Sequence, residues 1–353
     1  MSRSPHRDKI AAWLRDFQLT QILSGASSTP PTISDSILTC SKALQIFVDE
    51  QLQVPLDLLT FGGRVVERLS ENLGAQCVIA GSVGKHTTVG SEQPDFDLDV
   101  LVVMGTENKT PTAGIRDLLL QIFAAASGAS GELNYVGLSS AVSNDERFCV
   151  ELTCSTRDWN ITWELIPVFA LPSSPLIFWV PTGDGNWYQS LTGYELRMIG
   201  DFARTTRPGI QLVKYLWKSF DLPKVPSCSF EFLAFQMLYQ SAGSTPHERW
   251  IERPEMLGVN CYRLLSAAHC AVNNNVPHLL NKKVGDERLW NLTAEEKTTI
   301  AEDLVKILCT LEQCLNGEFE TTMFLAGRLH KGPSENLFAC LDDKMQLTFC
   351  SRL

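Results

Sequence analysis

Residues 78–104 read VIAGSVGKHTTVGSEQPDFDLDVLVVM. A short apolar run leads into Gly81 and Ser82, and a loop rich in small residues and threonine follows. Acidic residues then occupy three alternate positions: Asp95, Asp97 and Asp99. The apolar run Val100–Met104 comes directly after them and is typical of a buried strand. Because successive side chains of a strand point to opposite faces, the three acids are predicted to project from one face.

Carboxylates crowded on one face of a strand repel one another, and a divalent cation with oxygen ligands would neutralise them. Mg²⁺ suits such a site because it keeps some of its water and takes further ligands from substrate phosphates. The turn at Gly81 and Ser82 can present backbone N–H groups to phosphate. The pattern therefore predicts a nucleoside triphosphate site that uses Mg²⁺ or Mn²⁺. A solvated acidic loop is the alternative, and the apolar residues between the acids argue against it.

These residues resemble the Gly-Ser … Asp-x-Asp signature of the polymerase-β-like nucleotidyltransferases. Twelve residues separate Ser82 from Asp95-Phe96-Asp97. The loop Gly81–Thr88 is similar to that of the 2′-5′-oligoadenylate synthetases. The segment Trp163–Phe169 is similar to the one that carries the family's third carboxylate, with Glu164 at the acidic position.

The resemblance implies which acids act in catalysis and which bind metal. The implied catalytic residues and metal ligands are Asp95, Asp97 and Glu164. Asp99 is included as a further metal ligand because two registers are open. The pair Asp95/Asp97 keeps the family's loop length, whereas the pair Asp97/Asp99 better matches an acid followed directly by four hydrophobic strand residues.

Two segments further along the chain are similar to nucleotide-binding segments of the same family. Residues 210–220, IQLVKYLWKSF, resemble a helix whose lysine, here Lys214, meets the triphosphate. Ser229-Phe230 resembles a pair whose first residue contacts phosphate while the aromatic ring stacks on a base, although Phe230 fits a core position equally well. The implied nucleotide-binding residues are Gly81, Ser82, Lys85, Thr87, Lys214, Ser229 and Phe230.

The function implied by the resemblance is template-independent transfer of nucleotides from ATP and GTP, with release of pyrophosphate. The product would be a 2′-5′-linked oligoadenylate or a cyclic dinucleotide that acts in innate immune signalling. The segment 187–190, WYQS, is similar to the cyclic GMP-AMP synthase branch, whose vertebrate His/Cys zinc insertion is absent from the sequence. The chain is therefore identified as an invertebrate-type member. The alternatives are a catalytically silent binding protein and an RNA 3′-end nucleotidyltransferase.

The expected fold is an α+β, bilobal polymerase-β-like nucleotidyltransferase. It would have a mixed sheet carrying the catalytic carboxylates, a long N-terminal spine helix and a C-terminal helical lobe. The predicted domains are an N-terminal helix and linker (1–33), a nucleotidyltransferase core (34–186) and a helical lobe (187–353).

Apolar spacing predicts a first helix over Asp8–Leu23 and a second that starts at Ser34 or Asp35 and runs to about Leu52. The residues expected on the apolar side of the second helix are Ile37, Leu38, Leu44, Phe47 and Val48. Further on, Phe148–Thr153 and Ile161–Pro167 are expected to form two antiparallel strands joined at residues 155–160.

Composition favours a cytoplasmic protein with no membrane span. Hydrophobic residues make up 44% of the 353 residues, and no stretch approaches the roughly 20 continuous apolar residues of a membrane helix. The eleven cysteines show no metal-binding spacing and are expected to be reduced. The net charge of −10 disfavours a protein that wraps nucleic acid. Double-stranded RNA is kept as a candidate activator, and DNA fits less well.

Overall fold

The computed structural model describes residues 34–89, 95–133, 148–155, 160–182, 185–190, 192–193, 196–197, 206–239, 253–274 and 292–327. The predicted helix Asp8–Leu23 and the predicted domain 1–33 lie outside these residues. The helices are α1 (Asp35–Gln51), α2 (Leu56–Leu73), α3 (Gly81–Gly84), α4 (Ile115–Leu133), α5 (Thr206–Ser219), α6 (Cys228–Tyr239), α7 (Leu257–Asn274), α8 (Ala294–Asn316) and α9 (Thr321–Leu325). The strands are β1 (Gln76–Ile79), β2 (Asp95–Thr106), β3 (Val150–Ser155), β4 (Asn160–Leu171), β5 (Ser174–Pro181) and β6 (Trp187–Ser190).

Contacts group these elements into two units. One comprises Gln51–Phe202 with Leu280–Gly285 and holds the sheet. The other comprises Met1–Glu50, Ala203–Leu279 and Asp286–Leu353, and its described elements are helical. The predicted domain boundaries after residues 33 and 186 stay predictions, because grouping by contacts does not show which segments fold independently.

The sheet is mixed because β2 and β4 run parallel whereas the other paired strands run antiparallel. The strand order is β1-β2-β4-β5-β6, and β3 also pairs with β4. The long strand β4 accommodates both partners on its other edge, since β3 pairs with residues 160–165 and β5 with residues 169–171. Strand β4 is therefore the centre of the sheet.

Apolar and acidic side chains alternate at the start of β2, so one face of this strand is apolar and the other face begins with acidic residues. Phe96, Leu98 and Val100 are buried in a core that α2 and α4 complete. Asp97 and Asp99 point the other way, and Leu101 on their face is buried in a second core. A shift of one residue would bury the acids and expose the apolar set, so the pattern fixes the register of this strand.

Helix α7 is buried along most of its described length. Its own apolar side chains are buried on all sides of the helix, including those of Leu257, Val259 and Leu264. His269 lies on the same helix and is only 8% exposed. A helix that is apolar all round is typical of the centre of a helical layer.

Most of the elements predicted from the sequence are confirmed. Helix α1 begins where expected, since the Ser34 hydroxyl accepts a hydrogen bond from the N–H of Ile37 at 3.4 Å. The predicted strand that contains Glu164 is β4, and it pairs antiparallel with β3 as expected. The prediction for Leu38 was wrong: its side chain is 44% exposed. Neighbouring positions on a helix differ by about 100°, and Ile37 takes the core-facing position.

None of the described helices has the length and apolar character needed to cross a membrane. The α+β class and the mixed sheet are as the sequence predicted.

Burial lowers the pKa of His269 from 6.5 to about 4. The unfolded chain therefore takes up a proton on this residue before the folded protein does. The stabilisation that results is present above about pH 6.5 and is lost as the pH falls toward 4. The free energy of unfolding should therefore fall less on acidification in His269→Gln than in the unaltered protein, by about 3 kcal/mol. Urea unfolding at pH 7.5 and pH 4.5 measures it, and equal losses in both proteins would contradict the expectation.

Glu312 supplies a control of opposite sign in the same unit. Burial, with the nearby Glu318 carboxylate adding to it, raises the pKa of Glu312 from 4.5 to about 7. Its contribution to stability is therefore complete below about pH 4.5 and is lost as the pH rises through 7. At pH 7.5 the free energy of unfolding of Glu312→Gln should exceed that of the unaltered protein by up to about 2 kcal/mol, after allowance for the partial exposure of Glu312. The same urea unfolding experiment measures this difference.

Candidate active site

Strands β2 and β4 bring two of the predicted acids side by side. In their parallel register Asp99 is the direct partner of Glu164, and Asp97 precedes Asp99 on the same face. Adjacent strands lie about 4.8 Å apart, so the two side chains start from neighbouring points on one face. Asp97 is exposed, whereas Asp99 and Glu164 are half-buried. The side chain of Asp95 lies outside the described part of the structure.

Gly81 lies directly against Asp99. Its φ angle is 58°, in the left-handed region that favours glycine. A Cβ atom built at this position would overlap the Oδ2 atom of Asp99. The backbone N–H of Ala80 also donates to the carbonyl oxygen of Asp99 at 2.8 Å, which extends the pairing of β1 with β2 to this point. The glycine therefore allows the carboxylate to lie against the turn that begins α3.

The loop after Gly81 is held by its own hydrogen bonds. The Ser82 hydroxyl accepts from the Thr88 hydroxyl at 2.9 Å. The backbone N–H of Thr87 donates to the Ser82 carbonyl at 2.8 Å, and the Thr87 hydroxyl donates to it at 3.4 Å. Thr87 and Lys85 are both buried. Thr87 thus shapes the loop in this structure, and nucleotide contacts by Lys85 and Thr87 stay predictions.

Glu151 is an acid on this face that the sequence analysis missed. It lies on β3 as the direct partner of Glu164, so β2, β4 and β3 each contribute one carboxylate to a single row. A signal for it existed in the sequence. A hairpin whose turn is centred on residues 157 and 158, as predicted, places residue 151 opposite residue 164.

The donor chemistry of this row fits a hard divalent cation. No three acidic, histidine or cysteine side chains converge on one metal position among the described side chains, which exclude that of Asp95. Mg²⁺ in nucleotide-dependent enzymes is usually held by one or two carboxylates together with substrate phosphates and water. Asp97, Asp99 and Glu164 supply such oxygen donors, so they fit a Mg²⁺ or Mn²⁺ ion whose coordination a nucleotide completes.

The nucleotide-binding residues predicted after residue 200 lie in the helical unit. Lys214 on α5 donates to the Glu231 carboxylate on α6 at 2.6 Å. Ser229 is fully buried. Phe230 is 2% exposed and packs against Trp217 with the ring centroids 5.0 Å apart. This burial favours the core position for Phe230 over a stacking position on a base, while the predicted roles of Ser229 and Lys214 are untested.

Neither a protein-family model nor a curated protein sequence matches this chain. Solved bacterial structures do share its fold. Escherichia coli MS115-1 CdnC, solved with ATP, matches with a TM-score of 0.55 and 14% identity over 82% of this chain and 98% of CdnC. The Bradyrhizobium diazoefficiens CD-NTase CdnG, solved with GTP, matches with a TM-score of 0.50 and 15% identity over 83% of this chain and 98% of CdnG.

A third match is Vibrio cholerae DncV, a cyclic AMP-GMP synthase solved with the linear intermediate 5′ pppA(3′,5′)pG. Its TM-score is 0.51, and its 11% identity extends over 96% of this chain and 93% of DncV. At these identities the similarity shows the fold and nothing finer. It confirms the α+β fold class with a mixed sheet predicted from the sequence, as a fold that this chain shares with these bacterial proteins.

We expect Gly81→Ala to destabilise the protein more than a matched glycine substitution does. Gly74, the residue that ends α2, has nearly the same φ of 59° but has no atom within 4 Å of an added Cβ. Gly74→Ala should therefore cost only the backbone strain of the left-handed conformation, roughly 1–2 kcal/mol. Gly81→Ala has this strain and must also displace the Asp99 side chain, so we expect a further loss of about 1–3 kcal/mol.

Urea unfolding of the two variants at pH 7.5 measures this difference. Equal losses in the free energy of unfolding would show that Asp99 moves away from Gly81 without cost. The close contact would then have no structural importance.

Proposed function

We propose that this chain is a metal-dependent nucleotidyltransferase that makes a nucleotide second messenger from ATP and GTP and releases pyrophosphate. The observation that carries the proposal is the direct pairing of Asp99 with Glu164 across two parallel strands, beside the Gly81 turn. The predicted motif and an independent strand, separated by more than sixty residues in the sequence, meet at this point. The fold shared with CdnC, CdnG and DncV supports the same assignment.

We place the catalytic pair at Asp97 and Asp99, with Glu164 as the third carboxylate. Asp99 is level with Glu164 in the sheet, whereas Asp97 is level with Thr162 and Asp95 with Asn160. The pair Asp97/Asp99 therefore keeps both acids within one pleat of the third carboxylate. The pair Asp95/Asp97 would begin two pleats away from it.

The residues of the sheet unit would divide the work between metal and phosphate binding. Cations held by Asp97, Asp99 and Glu164 would lower the pKa of the attacking ribose hydroxyl and stabilise charge on the leaving pyrophosphate. The backbone N–H groups of the turn at Gly81 and Ser82 would donate to a phosphate, as a glycine-containing turn can. Ser82 accepts a hydrogen bond from Thr88, so its own hydroxyl proton can be directed to the same phosphate.

We favour a cyclic dinucleotide as the product, with the 2′-5′-linked oligoadenylate as the other candidate. DncV, which shares the fold over nearly the whole chain, is a cyclic AMP-GMP synthase. The resemblance to the oligoadenylate synthetases comes mainly from the loop Gly81–Thr88. Three solved relatives are bacterial, so they add no support for an invertebrate-type protein. Activation by double-stranded RNA is supported by the same loop alone, and the net charge of −10 opposes it.

A catalytically silent binding protein is the second candidate. The burial of Lys85, Thr87 and Ser229 counts against the enzyme, because these residues were predicted to contact its nucleotide substrates. The two candidates differ in one respect that can be measured: the enzyme releases pyrophosphate from ATP and GTP, whereas the binding protein does not.

The test is incubation of the full chain with Mg²⁺, ATP and GTP, followed by mass analysis of the products. We expect a dinucleotide product, and Asp97→Asn and Asp99→Asn should each slow its formation at least about a hundredfold. Asp95→Asn should slow it less than about tenfold if the pair is Asp97/Asp99. The exposed Asp49 on α1 is the control, and Asp49→Asn should leave the rate unchanged.

The distribution of products separates the alternatives. Labelling of an added RNA 3′ end without a small product would support an RNA 3′-end enzyme instead. A protein that binds nucleotide and releases no pyrophosphate, with Mg²⁺ or with Mn²⁺, would contradict the enzymatic proposal.

A further inference from the structure

Helix α3 ends in a cap whose geometry favours glycine, but histidine occupies the position. The backbone N–H of His86 donates to the Val83 carbonyl at 3.0 Å, and the N–H of Thr87 donates to the Ser82 carbonyl at 2.8 Å. These two hydrogen bonds form a Schellman motif, in which the residue at the position of His86 takes a left-handed conformation. The φ angle of His86 is 56°, as this motif requires. Glycine would adopt this conformation with less strain.

The side chain of His86 is the part of this loop that a ligand can reach from solvent. Within residues 81–88, all of which the structure describes, His86 alone is exposed. Its neighbours Lys85 and Thr87 are buried. An exposed side chain adds little to the packing of a fold, so burial does not offset the backbone strain at His86. Strain of this kind is commonly found where a side chain serves function.

A second exposed basic residue, Arg197, lies beside this loop within the sheet unit. A Cβ atom built on Gly84 would be 2.8 Å from the Cδ2 atom of Leu196, so the Leu196 side chain packs against the end of α3. Leu196 also packs against the second core, to which Leu101 belongs, on the face of the sheet that carries the acids. Arg197 follows Leu196 directly and is exposed. Its side chain therefore starts on the same side of the sheet as the acids, next to the loop that carries His86.

A nucleotide bound at the row of acids needs basic groups close to it. The positive charge of two divalent cations is smaller than the combined negative charge of three carboxylates and a triphosphate. The phosphates that the cations do not neutralise are best bound by charged or N–H donors of the protein. Arginine suits this purpose because its planar guanidinium group can donate two parallel hydrogen bonds to one phosphate. An imidazole N–H can donate another.

We propose that His86 and Arg197 form a binding site for the terminal phosphates of the nucleotide, beside the row of acids. The proposal rests on the proposed function, in which Asp97, Asp99 and Glu164 hold the cations that accompany this nucleotide. The site contacts the phosphate chain and not the base. It therefore serves ATP and GTP alike.

The first experiment uses the strain at His86 to separate binding from folding. His86→Gly removes the imidazole and suits the left-handed conformation, so the variant should unfold at a higher urea concentration than the unaltered protein. Its affinity for a non-hydrolysable ATP analogue with Mg²⁺, measured by titration calorimetry, should nevertheless fall about tenfold. His86→Asn also tolerates this conformation but has a shorter side chain. A similar loss of affinity in His86→Asn excludes the flexibility of glycine as the cause.

The second experiment varies the charge at residue 197 of the full chain. Arg197→Gln should weaken binding of the ATP analogue at least about tenfold, and Arg197→Glu should weaken it further because it repels phosphate. A non-hydrolysable GTP analogue should lose affinity by the same factors. If Arg197→Glu does not fold, Arg197→Lys replaces it, and it should weaken binding less than Arg197→Gln because it keeps the charge.

Arg64 supplies the matched control. It is an exposed arginine of the same unit, but it lies on α2, which packs against the apolar face of the sheet. Arg64→Gln and Arg64→Glu should leave the affinity for both analogues within about twofold of the unaltered value. Circular dichroism and urea unfolding establish that each variant is folded under the conditions of the titration.

The outcomes separate this inference from the proposed function. If the unaltered protein binds neither analogue, the proposed function fails and the inference fails with it. If the unaltered protein binds them and the variants of either residue bind equally well, only the inference is overturned. A loss confined to one analogue would show contact with a base, and a lower urea midpoint for His86→Gly would show that the imidazole stabilises the fold. Each of these two results also overturns the inference alone.

Discussion

The parallel pairing of β2 with β4 is the constraint on which the rest of the site depends. It places Asp99 and Glu164 at directly paired positions, an arrangement that is unfavourable for like charges on neighbouring strands. The sheet keeps this register because the alternate residues Phe96, Leu98 and Val100 are buried against helices on the opposite face. The free energy of burying those apolar side chains therefore maintains a concentration of negative charge that the acids alone would disperse. A cation and the phosphates it carries would relieve the repulsion.

The sequence predicted the parts of this site that depend on local patterns. The alternation of Asp97 and Asp99 with buried residues, the strand after them and the glycine turn before them are all properties of neighbouring residues. The hairpin that carries Glu164 also follows from a local pattern, and its predicted centre would have been sufficient to find Glu151, which the sequence analysis missed. The choice between the two registers of acids could not be made in the same way. It requires the alignment of β2 with β4, two strands that are joined through a long intervening segment.

The helical unit shows where local patterns are insufficient. Residues 210–220 predict a helix with Lys214 on it, but the partner of that lysine lies on another helix, and no spacing within one helix reveals Glu231. Phe230 fitted two positions at the sequence level, and its packing against Trp217 is a tertiary contact. Leu38 fails for a related reason. Adjacent apolar residues on a helix cannot both face the same core, and the packing of Ile37 decides which of them is exposed.

The most direct test of this account is the position of a bound metal. Crystals of the protein grown with Mn²⁺ and a non-hydrolysable ATP analogue would locate the ion by its anomalous scattering. The account predicts a peak bound by the carboxylates of Asp97 and Asp99, close to Glu164 and to the turn at Gly81, with phosphate oxygens among its ligands. A peak bound by Asp95 and Asp97 without Asp99 would contradict the register. Nucleotide bound without any ion at this row of acids would contradict the central claim.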